Sequence, residues 1–254
     1  IEGIGIFSSQ YVADGLHKVA KDLVGDATFG DFDPERVLAV NTAAMKIPGT
    51  EEGWTSTTLC NQELPRSRVG DSRLIRQLDG ALSTSAAPSY FPPHKIVANG
   101  TSMGFFADGG LFANNPVLNG MTVATAKNMA RLEDFRVISI GTGVNDTGIP
   151  ERVFVNPRDF GILEWLGLQK GVPPGALLNI TMTTSADNMT WISGNMLQDR
   201  MIRLNPTLEK RVALDGTDPA DFAEMDKAVA ALIASDDWAP AVEMAKSWAP
   251  SAGS

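Results

Sequence analysis

The 254-residue sequence contains a single cysteine, Cys60, and only two histidines, His17 and His94. One thiol excludes an intramolecular disulfide; it reads as a small packed side chain, and so little cysteine fits a reducing, cytoplasmic setting. With histidines and cysteines this sparse, no zinc site can be assembled, and no metal or cofactor is expected. No uninterrupted apolar stretch approaches the roughly 18 residues of a membrane span. Positive charge is in deficit too. The 21 Lys and Arg against 30 Asp and Glu leave a formal net charge of −9, and such a field repels phosphate backbones, so nucleic acid is not an expected partner. The opening string Ile1-Glu2-Gly3-Ile4-Gly5 has neither an initiator methionine nor a basic-then-apolar leader, and the expectation is a chain cut at its N-terminus.

What is present suits a folded globule. A hydrophobic content of 43% with 20% charged residues is enough for one sizeable core, so a single domain over residues 1–250 is expected, with residues 251–254 as a small, polar, disordered tail. Val12, Leu16, Val19 and Leu23 fall at helical spacing and predict a helix over about residues 10–24, stopped by Gly25. Val37-Leu38-Ala39-Val40 reads as a buried strand, and residues 54–58 as a weaker one. Asp71 or Ser72 is placed to cap a helix through Leu82 with Leu74, Ile75 and Leu78 on its buried side. Residues 94–98 and 103–107 are short extended runs flanking Asn99-Gly100, the strongest short hairpin signal. Asn115 and Pro116 open a helix over residues 117–132, and Val137-Ile138-Ser139-Ile140 follows as a core strand. Strand, helix, strand in that order predicts a parallel sheet with helices on its faces, hence an α/β class. Helices are expected over residues 160–168 and 176–192, a strand over 201–204, and a helix begun by Asp218-Pro219 with Phe222, Met225, Val229, Leu232 and Ile233 as its apolar stripe.

Two strings exceed what turn chemistry requires: Thr84-Ser85-Ala86-Ala87-Pro88-Ser89-Tyr90-Phe91-Pro92-Pro93, and Phe106-Ala107-Asp108-Gly109-Gly110-Leu111-Phe112-Ala113-Asn114-Asn115-Pro116. In order, and followed by Val137-Ile138-Ser139-Ile140-Gly141-Thr142-Gly143, they resemble the patatin-like phospholipase family, over most of the chain from about Phe7 to about Leu232. The resemblance implies a three-layer α/β/α fold with a mainly parallel central sheet, incomplete at the N-terminus. It also implies a lipid acyl hydrolase, a phospholipase or esterase, working through a Ser-Asp dyad without histidine. Asp108 is then the catalytic carboxylate, and Gly109 and Gly110 form the turn that supports it. Read from the residues alone, an aspartate ending a strand before two glycines can project over the sheet edge, or can simply serve its own turn.

The nucleophile elbow that such an aspartate serves, a Gly-x-Ser-x-Gly turn between strand and helix, does not precede Asp108. The expectation is therefore a serine supplied by a missing or separate N-terminal segment. Gly100-Thr101-Ser102-Met103-Gly104 matches the pattern letter for letter, but it lies in a hairpin and leads into a strand instead of a helix. Ser8-Ser9 lacks the second glycine. His17 and His94 read as surface or packing residues. Gly141-Thr142-Gly143 completes no nucleotide-binding pattern, and Asp215, Asp218 and Asp221 read as helix-start residues rather than a calcium loop. Four Asn-x-Thr sequons, at Asn99, Asn145, Asn179 and Asn188, carry no weight here. The apolar residues Phe160, Ile162, Leu163, Trp165, Leu166 and Leu168 suit a buried helix, an acyl groove or transient membrane-surface contact. A second reading, a catalytically inactive domain that binds lipid or a protein partner, stays open beside the hydrolase.

Overall fold

A computed structural model describes residues 8–51, 53–144, 148–154, 160–168 and 170–248. In chain order their regular elements are α1 (Asp14–Val24), β1 (Ala39–Lys46), β2 (Gly53–Cys60), α2 (Gln77–Thr84), β3 (His94–Ala98), β4 (Thr101–Asp108), α3 (Gly110–Ala113), α4 (Val117–Ala126), β5 (Val137–Ile140), α5 (Ile162–Trp165), α6 (Ala176–Leu197), β6 (Met201–Leu204), α7 (Pro219–Ile233) and α8 (Trp238–Lys246). The opening five residues, Asn145 and the tail at 251–254 lie outside the described residues. The chain divides into two compact units, one of residues up to Asp134 with Ile180–Met189, the other of Phe135–Asn179 with the residues from Thr190 onward.

The first unit is built on a four-stranded sheet of order β2-β1-β4-β3, and every neighbouring pair in it is antiparallel. This corrects the expected mainly parallel sheet, although the α/β class stands. The strand-helix-strand argument rested on β4, α4 and β5, but β4 pairs with its hairpin partner β3 and with β1, while β5 pairs elsewhere. The Asn99-Gly100 signal is realised in full. Asn99 and Gly100 adopt φ of 48° and 75°, the double positive φ that a two-residue hairpin of this hand requires. One face of the sheet buries Phe29, Ala44, Ile47, Leu59, Ile75, Ile96 and Phe106 in a common core, and Cys60 is fully buried.

Two helix expectations are corrected by tertiary bonds. The helix expected from Asp71 through Leu82 breaks at Ile75, which is extended, because Ile75 O accepts from the Phe29 amide and the Gln77 amide donates to Ala27 O. A short 3-10 turn precedes the break and α2 follows it, leaving Leu74 exposed while Ile75 and Leu78 are buried. In α1 only Leu16 of the expected apolar stripe is packed. Val12, Val19 and Leu23 are exposed, and Ala20 with Leu16 and Val24 meets Leu78 and Leu82 of α2 instead. Gly25, at φ 62°, ends the helix as expected.

The second unit contains the parallel pair, β5 against β6, in register from Val137 opposite Met201 to Ile140 opposite Leu204. Here α7 starts at Pro219 after Asp218, as the sequence predicts. Its interior faces differ from the expected stripe, for Phe222, Val229 and Ile233 are exposed while Ala228 and Glu224 are buried. Glu224 accepts the amides of Glu209 and Lys210, and these bonds hold its carboxyl below the ordinary range. The helix expected over residues 160–168 shrinks to the single turn α5, stopped at Gly167 (φ 74°), with Ile162, Leu163, Leu166 and Leu168 exposed. No helix among the described residues is long and apolar enough to cross a membrane.

Candidate active site

Asp108 is the last residue of β4, opposite Thr42 of β1. Its backbone amide donates to Ala86 O at 2.9 Å, which ties the strand end to the proline-punctuated loop that follows α2. Thr42 Oγ1 donates to Ala107 O at 2.7 Å, anchoring the preceding residue. The side chain is half-buried. Oδ1 accepts the Gly110 amide at 2.7 Å, and among the described residues no cation pairs with the carboxylate. Burial therefore pushes its pKa above the ordinary carboxylate value, and the single amide bond only partly opposes that. A half-buried acid with spare acceptor capacity and a raised pKa is the electrostatic pattern expected of a proton acceptor.

The two glycines are required for a different reason from the one the sequence suggests. Gly109 has an ordinary helical backbone, φ −72° and ψ −14°, so no left-handed turn is involved. Space decides instead: a Cβ at Gly109 would collide with the backbone carbonyl of Asn41, and one at Gly110 would press on Met182 of α6 at 2.9 Å and on Oδ1 of Asp108 at 3.1 Å. Asn41 is a residue that sequence reasoning missed. Buried at 6% exposure, it joins the turn to three elements. Its carbonyl accepts Thr84 Oγ1 at 2.7 Å and its Oδ1 accepts Thr58 Oγ1 at 2.8 Å, while Thr58 in turn accepts Asn119 Nδ2 at 3.2 Å. After the turn, Asn114 Nδ2 donates to Met182 O at 3.3 Å, and the fully buried Asn115 accepts the Val117 amide at 3.4 Å as α4 begins. Asn114 thus docks the mid-section of α6, and Asn115 closes the turn that leads through Pro116, the N-cap, into α4.

Two open grooves border this turn. One, of about 390 Å³, is walled by Ala86, Pro88, Phe91, Pro93, Ala107 and Met45, with Ser8 and Ser9 on its rim. The other, of about 630 Å³, runs between Leu111 and Phe112 of α3 and Ile180, Thr184, Asn188 and Met189 of α6. Neither Ser8 nor Ser9 is hydrogen-bonded to Asp108. Ser102 lies in β4 itself, opposite Val97, so six residues of strand, about 20 Å, separate it from Asp108. That geometry removes it as a partner of this carboxylate.

The histidines divide. His17 is exposed on α1. His94 Nε2 meets Oδ1 of Asp79 at 2.9 Å, and Arg76 grips the same carboxylate with two bonds at 2.8 and 3.0 Å. Asp79 is 2% exposed; burial raises its pKa, but the bonds to His94 and Arg76 outweigh that and hold it below the ordinary value. The sequence did not announce this cluster, although Arg76 and Asp79 stand one helical turn apart.

No protein-family model matches the chain. Among curated proteins, Patatin-like protein 1 of Arabidopsis thaliana is 32% identical over 168 residues, covering 57% of this chain and 39% of the plant protein. The cGAMP-activated phospholipase of Vibrio cholerae is 42% identical over 73 residues, 27% of this chain and 20% of that protein. The protein of the same name from Escherichia coli is 29% identical over 153 residues, 59% of this chain and 39% of its own length. The chain thus spans about two-fifths of the relatives it matches over the longest stretches.

Proposed function

We propose that the chain, over the part it shares with these relatives, belongs to the patatin-like phospholipase family and is part of a lipid acyl hydrolase whose catalytic carboxylate is Asp108. The observation that carries this reading is the half-buried Asp108 carboxylate, paired with no cation among the described residues, fixed by an amide at a strand end and bordered by two grooves. In the proposed reaction a serine from outside these residues attacks the ester carbonyl, and Asp108 accepts its proton. The tetrahedral intermediate collapses to an acyl-enzyme as the alcohol leaves with that proton; water then repeats the sequence and releases the fatty acid. Backbone amides outside Asp108's own turn stabilise the oxyanion.

The raised pKa suits this role, since a better base lies nearer the working pH. Gly109 and Gly110 support the carboxylate by admitting Asn41 and Met182 to van der Waals distance. The two compact units are read as portions of one patatin-like domain, in a cytoplasmic protein. Ile162, Leu163 and Leu168, all more than half exposed, suit transient contact with a lipid surface.

The test uses the full-length protein and short-chain nitrophenyl esters alongside phospholipid vesicles. Asp108→Asn is expected to cut kcat at least about 10³-fold, in the range of losing one essential group, with a cooperative melt retained. Undiminished turnover would remove Asp108 from the reaction. Failure of a fluorophosphonate to label any serine in the wild type would instead favour a non-catalytic lipid- or protein-binding domain.

A further inference from the structure

The second unit holds a cation that the proposed chemistry does not use. Arg203, in β6, stands opposite Ser139 of β5, and its Nη1 donates to Ser139 Oγ at 2.8 Å. The side chain is half-buried, and burial alone draws its pKa below the ordinary arginine value; among the described residues no carboxylate pairs with it. A half-buried guanidinium with no carboxylate beside it among the described residues costs free energy that a bound anion would recover.

The surroundings are built to match. Both strands end together, and the carboxyl ends of parallel strands are where ligands meet sheets of this kind. The Gly141-Thr142-Gly143 turn closes over that end. Gly141 N donates to Leu204 O at 2.8 Å and Gly143 N to Asn205 Oδ1 at 2.9 Å. Thr142 is exposed, and neither its amide nor its hydroxyl has a protein partner among the described residues. A Cβ at Gly141 would collide with Arg203 Nη2 and Asn205 Oδ1, so glycine is what lets the guanidinium lie against the turn.

We propose that Arg203 and the Gly141-Thr142-Gly143 turn form an anion site for a phosphate group, the guanidinium supplying the charge and Thr142 further donors. Phosphate fits better than carboxylate because it presents three strong acceptor oxygens to three kinds of donor. The group can belong to a free phosphate compound or to a lipid headgroup. The site stands independently of the role given to Asp108.

The experiment melts the full chain in inorganic phosphate and in chloride of matched ionic strength, which controls for screening. Phosphate is expected to raise Tm saturably in the wild type, with affinity at least tenfold weaker in Arg203→Gln. In chloride that variant is expected to melt no lower than the wild type, since it sheds an uncompensated cation and can keep the Ser139 bond; equal losses of Tm in both buffers would make Arg203 a packing residue and overturn the proposal. Should Arg203→Gln not fold, Arg203→Lys, which keeps the charge and loses the fork, is expected to bind phosphate more weakly than the wild type. Sedimentation with phosphatidylcholine vesicles, with and without phosphatidate, separates the sources. Phosphatidate-dependent, Arg203-dependent binding assigns a headgroup, and a phosphate response without it assigns a free ligand. Absence of both overturns the proposal.

Discussion

Asp79 and Asp108 belong to the same compact unit, and the sheet strands β3 and β4 bring their surroundings within one hairpin of each other, yet the two carboxylates are treated in opposite ways. Asp79 is 2% exposed and receives Arg76 on both oxygens and His94 on one. Asp108 is half-buried and receives a single backbone amide. Partners outweigh burial at the first and lower its pKa; burial outweighs the lone amide at the second and raises it. The difference teaches that burial of an acid does not by itself mark a reactive group. An acid whose bonding capacity is filled pins the fold together, whereas one left with free lone pairs can take a proton from something else.

The sharpest attempt to break this contrast removes the space that holds Asp108 in place. Gly109→Ala puts a methyl group into the Asn41 carbonyl, which is backbone and cannot rotate away. We expect a loss of about 3 kcal/mol in urea unfolding, at the upper end for overpacking, together with loss of ester hydrolysis; unchanged stability would mean the turn is looser than its contacts indicate. Asp79→Asn attacks the other member of the pair. It removes charge-assisted bonds from a buried site and should cost about 2 kcal/mol in the same measurement, while leaving kcat of the folded protein close to wild type. A selective loss of kcat there would erase the distinction between the two acids.

The smallest effect lies in pH. The folded-state pKa of Asp79 is depressed, so the stability it contributes is present above the unfolded value of about 3.9 and is lost as pH falls through the lower folded value. For Asp108 the sign reverses. Its raised folded pKa means the folded state binds the proton more tightly, so its charged form weakens the fold at neutral pH, and the penalty is relieved as pH falls through the raised value toward about 3.9. Asp108→Asn should therefore match or slightly exceed the wild type in stability at pH 7 and lose that advantage near pH 4, whereas the deficit of Asp79→Asn should shrink only below pH 4. Parallel pH curves for the two variants would contradict the opposed shifts.

Legibility in the sequence followed the range of the interaction. The Asn99-Gly100 hairpin, the Asp218-Pro219 helix start and the Gly25 stop were readable because the residues that set them are adjacent. The break at Ile75 was not, since it is made by bonds to Ala27 and Phe29 more than forty positions away. The candidate site shows the same division. Asp108, Gly109 and Gly110 announced themselves as a motif, but Asn41, whose backbone explains Gly109, carries no local signal. Ser102 offered the reverse lesson, a string with the right letters in the wrong element.

By itself the sequence determined the α/β class, the turn chemistry at its hairpin and caps, the acidic surface charge and the family resemblance, because each depends on neighbours in the chain or on composition. Strand partners, the packed face of α1, and which of the two acids, buried Asp79 or half-buried Asp108, is paired with cations among the described residues were decided only by tertiary structure. The reason is that a backbone bond or a counter-ion from a distant residue competes with local preference on equal terms, and its partner cannot be read from spacing.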